Sequence, residues 1–585
     1  MKKKLSLFIL LIGIIYLSYI LLNADFPKEK ETIYYNGNVI TLEDSNPKAE
    51  AVLIQDGLIR SVGTNEDILK LQTKNTKLVN MKGKFLLPGF IDPHTHPDIS
   101  AFLHGMVDLS GFKHKTHAEV WAHFEKSVKQ YKKGEWILCK GLDSILIPDL
   151  KTPHISYLDK IAPENPVVIL SQSLHSYWAN TKAFQDAGIT KDTPAPSQSS
   201  FYEKDERGNL TGLIVEQEAF GPIREAMLKA TPKSRLMKNV ETVMDTYARR
   251  GFTTIVTAGL TSKDKIILKL YEHLSAKKPS FSSSLLSLFG IFPKRKPMPR
   301  HFVYLRKDAT KLLPLPSEKG DDFFRVAGLK LWYDGSPYTG SMYLEEPYFR
   351  SQLTEKELHI SSGHRGKALL EKEELEDLIK QYSEDKWQIL IHVQGDRAIR
   401  ESLEAFEKVQ KTVDIRPLRH RLEHCLLLDK TWLERMKQVN LSPSLHINHI
   451  YYYGLALQDS ILGKERTAKI LPLRSITDTS LAFSLHADQP MFESEPFSLM
   501  ATAIQRQTRE GFVINPDETI DRLTALKSLT TMAAWQIGME DKLGSIREGK
   551  YADLILLDDN PLSIPIEKLR NIRVLKTLIH GNPVQ

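Results

Sequence analysis

The stretch LLPGFIDPHTHPD, residues Leu86 to Asp98, joins an apolar, strand-like segment to a turn that carries His94 and His96. In a strand, side chains two residues apart point to the same side. Both imidazoles can therefore reach one metal ion at the end of the strand. An H-x-H pair is a weak signal by itself, because histidine-containing turns beside proline are also common. The rest of the chain has to decide between a metal site and a polar turn.

Apolar segments of strand length recur along the chain, and helical periodicity lies between several of them. The eight candidate strands are FLLPGFID, PVVILSQ, FTTIVTAG, VAGLKLWYD, WQILIHVQ, RHRLEHC, VNLSPSLHI and LAFSLHAD. Eight buried parallel strands with helical crossovers predict an α/β fold of the (β/α)8, TIM-like barrel type. A doubly wound open sheet is the alternative, but no Gly-rich phosphate loop follows the first strand.

Both ends of the chain predict short strands with Gly-containing turns. TIYYNGNVITLED and AVLIQDGLIRSVG lie near the start, and KLGSIREGKYADLILLD and VLKTLIHGNPV lie near the end. We expect the two ends to form one small β-sandwich. The predicted domains are an N-terminal segment (1–26), the first part of the sandwich (27–86), the barrel (87–540) and the second part of the sandwich (541–585).

The N-terminal segment has its own character. Lys2, Lys3 and Lys4 precede an uncharged run of 18 residues from Leu5 to Leu22, close to the roughly 20 residues of a membrane-spanning helix. The run exceeds the about 7–15 apolar residues of a signal peptide and lacks a small-x-small cleavage site, which favours an uncleaved transmembrane anchor. With the lysines inside, the catalytic part is expected on the exported, periplasmic or extracytoplasmic side. It would be secreted if the segment were cleaved.

Composition excludes several classes of function. The net charge of +7 is spread along the chain, which does not indicate nucleic-acid binding. Cys139 and Cys425 are the two cysteines, so neither a disulfide framework nor a Cys-rich zinc site is available. Any metal must be held by His, Asp, Glu or Lys. Ser275 to Arg300, rich in Ser, Pro and basic residues, is predicted to be a surface loop; contact with a membrane or a role as a lid is the alternative.

Four more ionisable residues end apolar strands: Lys330, His392, His424 and Asp488. Singly, each has an ordinary structural explanation, such as a hydrogen-bonded histidine or a helix-capping carboxylate. Barrel enzymes, however, place their catalytic groups at the carboxyl ends of the strands. Together with the pair His94 and His96, these residues predict a site at the barrel mouth.

The motifs GFIDPHTH, GFTTIVTAG, LKLWYDGS, IHVQGDRA, RHRLEH, SLHADQP and GSIREGKYADLILLD resemble the amidohydrolase superfamily in type and order. YWANTKAF and HVQGDRAI are similar to the branch that contains N-substituted formamide deformylases. The resemblance implies that His94 and His96 bind one metal, that His392 and His424 bind a second, and that Lys330 bridges the two. It also implies that Asp488 is both a ligand of the first metal and the catalytic proton shuttle.

The chemistry of these residue types agrees with that arrangement. Zinc accepts imidazole and carboxylate ligands and lowers the pKa of a bound water to about 7, which provides a metal-activated hydroxide. Lys330 would carry a carbamate, whose anionic oxygens can bridge two zinc ions; iron or manganese is also compatible. A mononuclear site remains open if Lys330 is unmodified. The expected activity is hydrolysis of a non-peptide carbon–nitrogen bond in a small amide or cyclic amide. An esterase or lactonase, or an inactive membrane-tethered binding protein, is the alternative.

Several other residues are candidates for the pocket. His175 is a candidate catalytic group that orients or polarises the substrate carbonyl. His449, Trp178, Trp332 and Tyr333 are candidates for substrate binding. His446 and His486 lie close to predicted strand ends, and Gln394 is expected to narrow the pocket. The oligomeric state leaves no trace in the sequence.

Overall fold

A computed structural model describes residues 13–14, 31–197 and 200–584. Apart from residues 13 and 14, the predicted anchor Leu5 to Leu22 lies outside this range. Within the described residues, no helix combines the length and the apolar character that a membrane crossing requires.

Eight parallel strands form a nearly closed barrel, which confirms the predicted barrel fold. In sheet order they are β1 (Phe90–Thr95), β2 (Phe252–Leu260), β3 (Arg300–Arg306), β4 (Phe324–Trp332), β5 (Gln388–Val393), β6 (Arg421–His424), β7 (Ser442–His446) and β8 (Ser484–His486). Near the gap between β8 and β1, the backbone N–H of His96 donates to the carbonyl oxygen of Gln489 at 2.8 Å. The carboxyl ends of all eight strands therefore meet at one mouth.

Helices connect the strands and cover the barrel. The longer ones are Pro97–Leu103, His117–Val128, Glu216–Ala230, Lys233–Arg249, Lys265–Ser275, Phe281–Leu288, Lys372–Glu384, Asp396–Gln410, Asn448–Ala456 and Pro496–Gln505. Shorter ones are Asn65–Leu69, Ile155–Ile161, Thr181–Asp186, Leu433–Gln438, Lys464–Thr467, Leu473–Asp478, Arg522–Ser528 and Thr531–Gln536. The helix Asp396–Gln410 buries Ile399, Leu403 and Phe406 at helical spacing against the barrel.

One of the eight predicted barrel strands is wrong. Val167–Ser171, from PVVILSQ, belongs to a separate sheet, and the barrel instead uses Arg300–Arg306. A short, fully buried apolar run looks the same in either sheet, so its pattern cannot identify the sheet. The segment RHFVYLR begins with charged residues and was not recognised as a strand. Its Arg300 is nevertheless buried, because the guanidinium pairs with the Asp553 carboxylate.

The separate sheet belongs to an insertion between β1 and β2. Its strands, in sheet order, are Phe201–Lys204, Leu210–Val215, Ser176–Ala179, Val167–Ser171, Ile137–Leu142 and Val107–Asp108. Side chains of the insertion contact the loops that follow β7 and β8. The Tyr453 hydroxyl donates to Asp143 at 2.6 Å, and the Gln172 amide donates to the Met491 carbonyl at 2.7 Å. The insertion therefore lies beside the barrel mouth.

Strands from both ends of the described chain form two further sheets. One contains, in order, Leu58–Gly63, Ala51–Gln55, Glu31–Tyr35 and Lys77–Asn80. The other contains Asn582–Pro583, Val574–Ile579, Leu554–Leu557, Phe85–Pro88, Asn38–Ile40 and Lys48–Ala49. Val52, Leu86 and Leu578 share one apolar core between the sheets. Phe85–Pro88 runs directly into β1, so these sheets lie at the amino-terminal end of the barrel strands.

Candidate metal centre

Every predicted metal ligand lies at the carboxyl end of a barrel strand or just beyond it. His94 is in β1, Lys330 in β4, His392 in β5 and His424 in β6, while His96 and Asp488 follow β1 and β8. His94, Lys330 and His424 are almost completely buried. Sequence positions almost 400 residues apart thus converge on one small volume.

His94, His96 and Asp488 form the first donor group. The Nε2 atoms of His94 and His96 lie 3.3 and 3.0 Å from Asp488 Oδ1, and one donor atom from each residue lies within 4.8 Å of the others. Among the described residues, His96 Nδ1 has no hydrogen-bond partner, and Asp488 Oδ1 has none of normal hydrogen-bond geometry. Buried polar atoms without partners are uncommon, and the donor atoms of the three residues converge as the ligands of a divalent cation do. The residues therefore fit a metal.

Glu423 contacts the nitrogen of His94 that faces away from Asp488. The carboxylate is hydrogen-bonded to His94 Nδ1, and its other oxygen accepts from the Arg421 guanidinium at 2.9 Å. Burial would raise the pKa of Glu423, but Arg421 and His94 outweigh burial and lower the pKa to about 2. An ionised carboxylate at Nδ1 keeps the proton on that nitrogen and leaves the lone pair of Nε2 free for a metal.

Around His424, the structure brings together two histidines that had no assigned role. One donor group contains His94, His424 and His486, and another contains His424, His446 and Asp488. His486 Nε2 lies 3.1 Å from His424 Nδ1, and His486 Nδ1 lies 2.9 Å from Ser444 Oγ. With His486 Nδ1 donating to Ser444, its Nε2 accepts from His424 Nδ1, and His424 Nε2 is free to bind a cation. Burial lowers the pKa of His424 and of His486, which keeps both neutral, as metal binding requires.

His392 and Lys330 complete the predicted set in different ways. The ring of His392 is 4.3 Å from that of His424, but its Nε2 faces the Gly335 carbonyl oxygen at 3.4 Å. His392 is consequently in none of the three donor groups found among the described residues. Lys330 Nζ is buried and forms no hydrogen bond within the described part of the chain. Burial lowers the pKa of Lys330 to about 8, so a larger share of the amine is neutral near neutral pH than in an ordinary lysine.

Asp488 is a charged base in this environment. Burial would raise the pKa of its carboxyl, but His94 and His96 outweigh burial and hold the pKa well below its usual value. Its backbone φ of 55° lies in the left-handed region. The residue follows β8, and its carboxylate contacts His94 in β1 and His96 just beyond it.

The predicted pocket residues divide into two groups. Trp332 and His449 lie at the site: Lys330 Nζ is 5.3 Å from the centre of the Trp332 ring, and the His449 ring is 4.2 Å from that of His446. The other three are placed differently. Trp178 lies in the inserted sheet, and His175 directly precedes the same strand, Ser176–Ala179. Both are in the insertion because the preceding strand, Val167–Ser171, is not a barrel strand. His175 Nδ1 lies 2.9 Å from a Glu216 oxygen. The Tyr333 hydroxyl donates to Glu401 at 2.6 Å, so its side chain points to the helix Asp396–Gln410 instead of the mouth.

Sequence reasoning missed Glu423, Arg421 and Tyr338. The first two alternate along β6, which is the signal that could have placed them inside the barrel. The Tyr338 hydroxyl lies 2.6 Å from His449 Nδ1, and it comes from a loop whose path no local pattern predicts. Gln394 lies beside the same histidine, with its Nε2 3.5 Å from His449 Nε2.

Replacing His486 by Ala is expected to lower the affinity for zinc about 10- to 100-fold, because His424 loses the partner that orients its ring. Competition with a chromophoric chelator measures the affinity. His420→Ala is the control, since it removes a buried histidine that directly precedes β6, the strand of His424, and contacts Ser383. Equal zinc affinities of the wild type and His486→Ala would contradict the role of His486.

A parallel barrel with a histidine and carboxylate cluster at its carboxyl end is the architecture of metal-dependent barrel hydrolases. This chain belongs to the amidohydrolase family, whose model matches residues 77–585, and the predicted resemblance is thereby confirmed. It is a metal-dependent hydrolase of that family.

Named relatives extend over almost the whole chain. N-substituted formamide deformylase of Arthrobacter pascens is 26% identical, with 94% of this chain and 98% of that protein covered. The putative amidohydrolase YtcJ of Bacillus subtilis (strain 168) is 25% identical, with 95% and 99% covered. An uncharacterised metal-dependent hydrolase from Pyrococcus horikoshii OT3 has the same fold, with a TM-score of 0.70, 22% identity, and 92% and 99% covered.

Proposed function

We propose that this protein hydrolyses a carbon–nitrogen bond, other than a peptide bond, in a small amide or cyclic amide. The observation that carries the proposal is the position of the Asp488 carboxylate, whose Oδ1 lies within 3.3 Å of both histidines that would hold a metal. Amide hydrolysis needs a group that removes a proton from water and delivers one to the leaving amine. The relative from Arthrobacter pascens, named for the deformylation of N-substituted formamides, supports this class of substrate.

The residues have distinct roles in the proposed reaction. His94, His96 and Asp488 would hold one divalent ion, and His424, with His392 after a rotation of its ring, would hold a second. Zinc, iron or manganese bound there would polarise the substrate carbonyl and lower the pKa of a bound water. Asp488 accepts the proton of the attacking water and gives it to the departing amine. His449, with Nδ1 accepting from the Tyr338 hydroxyl, carries its proton on Nε2 and can donate to the carbonyl oxygen.

Lys330 is proposed to carry the bridging carbamate. Its neutral amine attacks carbon dioxide: an N–C bond forms, one C–O π bond opens to leave a carboxylate, and one proton passes from the nitrogen to water. After addition of ¹³C-bicarbonate, we expect a carbamate ¹³C resonance in the wild type and none in Lys330→Ala. Lys550→Arg is the control, because Lys550 is also buried but is hydrogen-bonded to Ser545. A wild-type spectrum without the resonance would contradict the carbamate on Lys330.

The location of the enzyme is a further part of the proposal. Lys2 to Lys4 and the apolar run Leu5 to Leu22 support an N-terminal anchor, with the barrel on the exported side. Detection of Met1-containing protein in detergent-extracted membranes tests this point. A shorter protein in the soluble exported fraction would indicate cleavage.

Metal analysis joined to a substrate panel tests the reaction. The panel contains N-substituted formamides, other small amides and cyclic amides, each with its matched ester or lactone. We expect amide turnover that a chelator abolishes and that zinc, iron or manganese restores. Turnover of the esters alone would assign an esterase, and full-length protein with neither metal nor turnover would overturn the proposal.

A further inference from the structure

The segment from Ser275 to Arg300, in the connection between β2 and β3, lies at the end of the barrel opposite the metal centre. The helix Lys265–Ser275 leads away from the mouth, and Ser275 Oγ donates to the Pro299 carbonyl at 2.9 Å, just before β3 begins. The Arg300 guanidinium then pairs with Asp553 in the terminal sheets. Metal ligands lie where strands end, whereas this segment precedes the start of a strand. The segment therefore cannot be a lid over the metal centre, which corrects that interpretation.

The helix Phe281–Leu288 in this segment buries two of its serines and exposes the apolar residues at its two ends. Ser283 and Ser284 are buried, and Ser283 Oγ donates to Glu272 of the preceding helix at 3.1 Å. The exposed apolar side chains, which we call the apolar patch, are Phe281, Leu288, Phe289 and Ile291, with Phe289 70% exposed. A surface helix in water normally buries its apolar side and exposes its polar side. Several large apolar side chains exposed in one short segment indicate an apolar partner.

Exposed lysines flank the apolar patch in the sequence. Lys277, Lys278 and Lys294 are exposed, and none forms a salt bridge with another described residue. Apolar side chains bordered by lysines are the combination that binds the interface of an anionic bilayer.

The terminal sheets lie at the same end of the barrel as the patch. The turn at Gly57, in the sheet that contains Glu31–Tyr35, packs against His580. The backbone N–H of His580 donates to Asp553, the partner of Arg300. The chain that follows the apolar run Leu5 to Leu22 thus enters the fold at the end that carries the patch.

We propose that the apolar patch inserts into the interface of an anionic lipid bilayer, with Lys277, Lys278 and Lys294 contacting lipid phosphates. Contact at this end turns the barrel mouth away from the bilayer. Substrate then reaches the metal centre from the aqueous phase, which restricts the proposed amides to water-soluble ones. This last point rests on the proposed hydrolysis, whereas the bilayer contact stands independently of it.

Site-specific quenching tests the contact in the full-length protein. Phe289→Cys is labelled with an environment-sensitive fluorophore and reconstituted into phosphatidylcholine vesicles with spin-labelled lipid, with or without phosphatidylglycerol. Cys139 and Cys425 are buried, so labelling is directed to the new thiol. Phe512→Cys is the matched control, since Phe512 is 58% exposed and lies three residues after Arg509, which is hydrogen-bonded to Gly111 and Leu146 of the insertion beside the barrel mouth.

We expect at least twofold quenching at position 289, more with phosphatidylglycerol, and none at position 512. Changing Lys277, Lys278 and Lys294 together to Glu should reduce the quenching while turnover stays unchanged. Equal quenching at both positions, or none at 289, would overturn the proposal. A blue-shifted but unquenched label in a particle of dimeric mass would also overturn it, in favour of a second copy of the chain on the patch. Turnover of the same preparations separates these outcomes from a failure of the proposed hydrolysis.

Discussion

Replacing Asp488 by Asn is expected to lower kcat about 10³-fold, within the usual contribution of a positioned general acid–base group. Asn has nearly the same shape but neither accepts the proton of water nor delivers one to an amine. The left-handed backbone at Asp488, with φ 55°, is a conformation that Asn tolerates. The substitution therefore removes the carboxylate chemistry while keeping the loop after β8 in place.

Turnover and metal content must be measured on the same preparation of Asp488→Asn. Metal that stays bound through His94 and His96, together with lost turnover, identifies a defect in proton transfer. Asp478→Asn is the control, because Asp478 is exposed and pairs with Arg474 on a surface helix. Full kcat in Asp488→Asn would disprove the shuttle.

Replacing Glu423 by Gln is expected to lower the free energy of unfolding by about 3–5 kcal/mol, because it leaves the buried Arg421 charge uncompensated. Zinc affinity should also fall about 10- to 100-fold, because a neutral amide no longer holds the proton on His94 Nδ1. Denaturant unfolding of the metal-free protein measures the first effect, and chelator competition measures the second.

Two controls make the interpretation of Glu423→Gln specific. Glu407→Gln breaks a carboxylate–arginine pair with Arg435 that is partly exposed, and it should cost at most about 1 kcal/mol. The double variant Arg421→Met, Glu423→Leu removes both buried charges and should recover much of the stability without recovering zinc affinity. Recovery of both properties would contradict a role of Glu423 at His94.

Lowering the pH should reduce the stability that the ion pair of Glu423 and Arg421 contributes. The pKa of Glu423 is about 2 in the folded state, below its ordinary value of 4.5. The ionised carboxylate therefore stabilises the fold above pH 4.5, and this contribution is lost as the pH falls from about 4.5 towards 2. Unfolding of the metal-free wild type should show that loss, and the Glu423→Gln variant should show less of it. Parallel pH profiles of the two proteins would argue against the assignment.

Local patterns in the chain predicted the barrel but not every strand of it. Strands such as Phe252–Leu260 and Gln388–Val393 are apolar runs flanked by helical periodicity, which indicates parallel strands. Val167–Ser171 has the same pattern in the inserted sheet, because burial on both faces produces apolar runs in any sheet. Arg300–Arg306 was missed because its charge is neutralised by Asp553, a partner 253 residues away.

The amino-acid sequence by itself determined the family, the barrel and the residues at the strand ends, since strand periodicity and short motifs are local properties. Only the tertiary structure decided which nitrogen of each histidine faces the site. Glu423 reaches His94 across 329 residues, and His486 reaches His424 across 62. Tertiary packing also decided that the apolar patch lies at the end of the barrel opposite the metal centre. Ring orientation and long-range pairing depend on distances that a linear pattern does not encode, because folding alone brings these atoms together.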